Sequence, residues 1–244
     1  MGVATHSKNG SLAERLKRMG LQDAKAAPPK PEGKITARIE KADLRILKVK
    51  IIGTAPYLQC RFPEKAMAKM MATQLAGDRD KKNIKREPRN IKRDYEQSQH
   101  RMENGDCGIP ASAFRAAAIS ACRLVGFKMT IAKLSIFIEG DGYDRLDGMP
   151  LVKIDGKPEM HQMIGRNADG SADIRIRSIW RKWSATLRIR YDANQFNAND
   201  VLNLLDRVGQ QVGIGEGRAD SRKSAGMMLG FFRIATGKAE MKSA

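Results

Sequence analysis

The chain has 244 residues, 41% of them apolar and 30% charged, with a formal net charge of +18. That length and apolar share suit one large domain, with or without sizeable insertions, and exclude a wholly disordered chain. The positive excess favours polyanions, which release counterions on such a surface, over membranes: no basic amphipathic stretch presents Trp or Phe, and no apolar run reaches transmembrane length.

Residues 1–33 read as an arm. In SLAERLKRMG, Ser11 and Glu14 make a capping box, and Leu12, Leu16 and Met19 share one helical face. Gly20 can end that helix, and AKAAPPKPEGK after it is a Pro-rich, extended linker. So short a helix cannot bury its apolar face alone. It either docks on a neighbouring subunit through Leu12, Leu16 and Met19 or folds back on its own domain; the sequence leaves both open.

Residues 34–244 form the main domain. RILKVKIIG, 45–53, is a strand with Leu47, Val49 and Ile51 on one face and Lys48 and Lys50 on the other. EKAMAKMMATQLA is a helix whose stripe of Met67, Met70, Met71 and Leu75 is expected in the core. A basic insertion follows, about 77–108. In its charge-dense part, 77–101, Lys81, Lys82, Lys85, Arg86, Arg89, Lys92 and Arg93 outnumber the acids. It is expected to be an exposed, mobile clamp for nucleic acid.

Pro110 opens a helix, PASAFRAAAISACRL, and IAKLSIFIE, 131–139, reads as a strand. A loop-rich insertion, about 140–183, comes next. IRIRSI, 174–179, and SATLRIRY, 184–191, read as a strand pair. Asn199 or Asp200 caps a helix through Val201, Leu204, Leu205 and Val208. The loop GIGEGRADSRKSAGMML and a last strand, FFRI, complete the plan.

Two motifs point to phosphate. The terminal loop joins Gly213, Gly215, Gly217 and Gly226 to Arg218, Arg222 and Lys223. Nucleotide-binding glycines follow a strand and open a helix, whereas here a helix precedes and a strand follows. A polymer of phosphates therefore suits the loop better than a nucleotide cofactor, and no cofactor is expected; the plain alternative is a turn needing glycine for backbone geometry. The second motif, DIRIRSIWRKWSATLRIRY, sets Trp180, Arg181, Lys182 and Trp183 between Arg175 and Arg177 on one side and Arg188 and Arg190 on the other. Cations beside aromatic rings are the parts of a single-strand platform, although Trp is also a common core residue.

No catalytic constellation stands out. Asp141, Asp144 and Asp147 lack calcium-loop spacing, nothing joins Tyr143 to His161, and Cys60, Cys107, Cys122 and the three histidines lack zinc spacing. Free thiols in a reducing bacterial cytoplasm are the expectation.

By element the chain reads βαββαβ with two insertions, an α+β, ferredoxin-like (RRM-like) plan. In three stretches it resembles the RAMP superfamily of CRISPR systems, especially guide-RNA backbone subunits. These are KVKIIGTAPYL, GIPASAFRAAAISA and GIGEGRADSRKSAGMMLGFFRI. It departs at Ala111 and Ala116, where the family prefers glycine, and its loop is longer than usual; the loop and SATLRIRYDAN also resemble phage proteins. The resemblance implies backbone contacts to nucleic acid without sequence preference, through Gly213, Gly215, Gly217 and Gly226, with subunits stacked along the strand and 77–101 standing where the family has its mobile thumb. The expectation is a non-enzymatic protein that coats single-stranded DNA, or less readily RNA, as a homo-oligomer or filament. The alternatives are a guide-RNA subunit and a nuclease using Asp141 or His161.

Overall fold

A computed structural model describes residues 41–75, 88–166, 170–221, 226–235 and 240–243. Leu12, Leu16 and Met19 of the arm, and the cations Lys81, Lys82, Lys85, Arg86, Arg222 and Lys223, lie outside them. The chain divides into two units, Met1–Glu40 and Lys41–Ala244; the second is described here.

It is a mixed α/β unit with antiparallel sheets. Its strands are β1 (Leu44–Gly53), β2 (Tyr57–Gln59), β3 (Gly108–Pro110), β4 (Ile136–Glu139), β5 (Gly142–Tyr143), β6 (Pro150–Asp155), β7 (Glu159–Arg166), β8 (Ala172–Trp180), β9 (Ser184–Asp192), β10 (Phe232–Ile234) and β11 (Glu240–Ser243). Its helices are α1 (Glu64–Leu75), α2 (Ile91–Gln97), α3 (Ala111–Ala121), α4 (Met129–Ser135) and α5 (Ala198–Arg207). In the larger sheet β1 lies between β10 and β9, and β11 pairs with the start of β1. Along its length β9 pairs with β4 and with β6, which leads on to β3 and β5. A smaller sheet has the order β2–β8–β7.

Period-two patterning builds the large sheet's inner face. Leu47, Val49 and Ile51 of β1 pair with Ile189, Leu187 and Ala185 of β9, and all six are buried. Helix α3 covers this face with Phe114, Ala117, Ala118 and Ala121, its small residues allowing close approach. Helix α5 adds Val201, Leu204 and Leu205. Its start is fixed by a reciprocal cap between Asn197 and Asp200, so the cap residue lies two positions before Asn199 and Asp200 is its partner in the first turn.

Several expectations are corrected. Residues 131–135 are helical, and only 136–139 form a strand; Ala132 and Ser135 are the inward residues of α4, while Leu134 is 79% exposed. The stretch 140–172, expected to be loops, contains β5, β6 and the whole of β7; Leu151, Val152 and Ile154 of β6 are buried, and the glycines and aspartates around them mask their pattern. The stripe of Met67, Met70, Met71 and Leu75 is exposed, and α1 has no buried residue. Helical spacing identifies a face but not what lies against it. Within 77–101 the described part is no open clamp: α2 is capped by Asn90, and Ser98, Gln99 and His100 are buried behind it. Ser98 pairs with the Ser178 hydroxyl, the His100 amide donates to Gln59, and Gln99 Oε1 accepts from Arg101, while Gln99 Nε2 is buried without a partner.

The strands at 174–179 and 184–191 do not pair with each other. β8 joins the small sheet and β9 the large one, and the turn between them carries the chain across.

Candidate nucleic-acid interface

That crossing explains the two tryptophans. Trp180 and Trp183 are buried, with Tyr57 between them at ring-centroid distances of 5.6 and 5.8 Å. Trp183 Nε1 donates to the Ala55 carbonyl at 2.9 Å. Both rings fill the core where the two sheets adjoin, so neither is a stacking platform, contrary to expectation. Between them Lys182 is exposed, and Arg181 is paired with Glu159 at 3.0 Å.

Other expected cations are engaged within the fold. Arg177 forms an ion pair with Glu216, which anchors the terminal loop to β8. Burial would lower the Arg177 pKa, but the Glu216 carboxylate raises it on balance. The Arg175 side chain packs over Gly165, where an added Cβ would lie 2.3 Å from its Nε. Arg89 bridges Asp94 and Asp173, whereas Lys92 and Arg93 stand exposed on α2.

The glycine-rich loop is folded onto the protein. The Glu216 amide donates to the Leu58 carbonyl, and the Gly230 amide to that of Pro56. Arg218 turns inward to donate to the Gly215 carbonyl at 3.2 Å. Gly213, Gly215, Gly217 and Gly226 all have positive φ, and a Cβ on any of them would meet the chain's own atoms within 2.8 Å. Backbone geometry thus accounts for these glycines without an approaching strand. Asp220 ties the loop to α3, accepting from the Ser120 hydroxyl and, at 2.7 Å, from Arg123 Nη2. The Ser120 hydrogen bond is the main cause of its lowered pKa.

A different surface gathers positive charge: the outer face of the large sheet, opposite α3 and α5. Cross-strand partners share a face, and the register sets Lys48 opposite Arg188, Ile46 opposite Arg190 and Lys50 opposite Thr186. It also sets Ile52 opposite Arg233 and Phe137 opposite Arg190. Lys48, Lys50 and Arg233 are exposed, and Arg188 and Arg190 half-buried. Against these five cations stand Glu139, Asp155 and Asp192 on the same face, and the register of β11 sets Glu240 opposite Lys48. Arg188 is partly neutralised, 3.7 Å from Glu139 and 3.4 Å from Asp141. Arg190 lies over the Phe137 ring, as does Arg115 from α3.

This face shares only Arg188 and Arg190 with the cations of the motif expected from sequence. Its signal was present in the alternation of Lys48 and Lys50 and of Arg188 and Arg190, but the adjacency of β1 and β9 is a property of the tertiary fold.

The acidic residues also find structural roles. Asp144 is buried against His100 Nδ1 at 2.8 Å, and Asp141 accepts from the Lys153 amide at 2.8 Å. Ligand atoms of His100, Asp144 and Asp147 lie within 4.8 Å of one another, but Asp144 is committed to His100 and Arg61, and Asp147 to the Met149 amide. His161 lies on β7, opposite Arg177. Among the described residues no helix is long and apolar enough to cross a membrane. No protein-family model matches the chain, and no curated protein matches it.

Proposed function

We propose that this protein binds single-stranded nucleic acid through its phosphate backbone, without sequence preference, and that the outer face of the large sheet carries the strand. The observation behind this reading is the convergence of Lys48, Lys50, Arg188, Arg190 and Arg233 on one sheet face in a chain of net charge +18. An extended row of cations matches a flexible line of phosphates. The order β10–β1–β9–β4, with α3 between β1 and β4 and α5 between β9 and β10, supports a ferredoxin-like core and agrees with the resemblance to the RAMP superfamily.

DNA is the favoured strand, and assembly of copies side by side along it is part of the reading. Binding of labelled single strands, followed by anisotropy at increasing salt, tests it. Affinity should fall steeply as salt rises, and salt-independent binding would overturn the reading. Removing residues 1–30 should lower the Hill slope more than the single-site affinity. Equal slopes with and without these residues would remove the arm from assembly.

A further inference from the structure

A second cationic feature shares no residue with the sheet face. The chain after β2, helix α2 and the turn after β5 enclose a cleft of about 170 Å³. Four guanidinium-bearing residues line it, Arg61, Arg93, Arg101 and Arg145, together with the carboxylates of Glu64, Glu96 and Asp144.

Arg61 is the unusual member. Its side chain is 4% exposed, and its Nε has no hydrogen-bond partner. Its two ion pairs are long, 3.5 Å to Asp144 Oδ2 and 3.7 Å to Glu64 Oε1. Asp144 is held more closely by others: His100 Nδ1 lies at 2.8 Å, and the Leu146 amide donates to it at 2.9 Å. Nearly buried guanidinium with so few close acceptors is costly, and several acceptor oxygens on one ligand would relieve that cost. Arg101 is partly spent on Gln99 and the Gly105 carbonyl. Arg93 and Arg145 make no side-chain hydrogen bond or ion pair within the described residues, so their charge is available to a ligand.

We propose that this cleft binds a phosphate dianion, free or as a terminal monoester, with Arg61 at its inner wall and Arg93 and Arg145 at its mouth. Planar guanidinium groups suit the tetrahedral oxygens of phosphate. The volume is below the roughly 300 Å³ at which drug-sized pockets begin, which suits a compact anion rather than a whole nucleotide. The ligand could be free phosphate or the phosphorylated end of a strand.

The test uses the full chain at constant ionic strength. Calorimetric titration with inorganic phosphate should show saturable binding that chloride does not reproduce. The double variant Arg93→Gln/Arg145→Gln changes exposed side chains, so its thermal midpoint without phosphate should match the parent. Its phosphate affinity should fall by about tenfold or more, at least the value of one hydrogen bond to a charged group. Equal heats with phosphate and chloride, or unchanged affinity in the double variant, would overturn the proposal. Short oligothymidylates with and without a 5′-phosphate separate the two sources: preference for the phosphorylated strand assigns a strand end, and equal affinity assigns free phosphate. The double variant should still bind long single strands at the sheet face, so failure of this site and failure of the sheet-face reading are distinguishable.

Discussion

Arg190 places its guanidinium over the Phe137 ring, 5.2 Å from the centroid, and Arg115 covers the same ring at 5.1 Å. A ring face compensates part of a cation's lost hydration without cancelling its charge. Arg190 can therefore be half-buried at the sheet and still attract phosphate.

The exposed cations along the same face can be removed without touching the core. Lys50→Ala with Arg233→Ala should leave the thermal midpoint nearly unchanged. It should lower the slope of log affinity against log salt by about two, about one per lost phosphate contact. Anisotropy titrations at several salt concentrations read this, and an unchanged slope would place the strand elsewhere.

Trp183 covers Gly53 so closely that a Cβ there would lie 2.2 Å from the indole Nε1. Trp183→Ala should therefore cost about 3–5 kcal/mol, measured by urea denaturation. The parent's tryptophan fluorescence should resist iodide and change little as single strands bind. Strong quenching that tracks saturation would contradict burial of the pair.

Two glycines with similar backbones should respond differently to alanine. Gly230 has φ 72°, and an added Cβ would lie 1.8 Å from the Ile214 carbonyl oxygen. Gly126 has φ 68°, but no atom lies within 4 Å of such a Cβ. Gly126→Ala should cost about 1–2 kcal/mol, the left-handed penalty alone. Gly230→Ala adds a backbone clash and should cost clearly more, displacing the loop from β2. Equal denaturation midpoints would mean that the loop yields without cost.

Burial alone would raise the pKa of Asp144, but the Leu146 amide, His100 and Arg61 together bring it below the ordinary value of 3.8. A carboxyl whose pKa is lower in the folded state stabilises the fold above its unfolded pKa, and this contribution is lost as pH falls through the folded value. Asp144→Asn should cost about 3–5 kcal/mol at neutral pH, since Arg61 would keep only its distant contact with Glu64. Denaturation midpoints taken from about pH 6 down to about pH 2 should fall less steeply in the variant than in the parent. Parallel curves would remove Asp144 from the acid response.

The strands with uninterrupted alternation were legible from sequence. β1 and β9 each carry hydrophobic residues at every second position, and no glycine or proline breaks the pattern before Gly53. α3 was also legible, from its opening proline and run of alanines. α4 was not: Leu134 and Ile136 read as one alternation, although one ends a helix and the other begins a strand. β6 was hidden because Leu151, Val152 and Ile154 occupy a short stretch between turns.

By itself, the sequence determined the mixed α/β plan and the excess of positive charge, because periodicity and composition are local quantities. Only the tertiary structure decided which charges remain available. It buried Trp180 and Trp183 at the crossing between sheets, paired Arg177 with Glu216, and folded the glycine loop over β2. It also brought Lys48 beside Arg188, residues separated by most of the chain but neighbours across an antiparallel ladder. Strand adjacency follows from how the whole core closes, which no local pattern specifies.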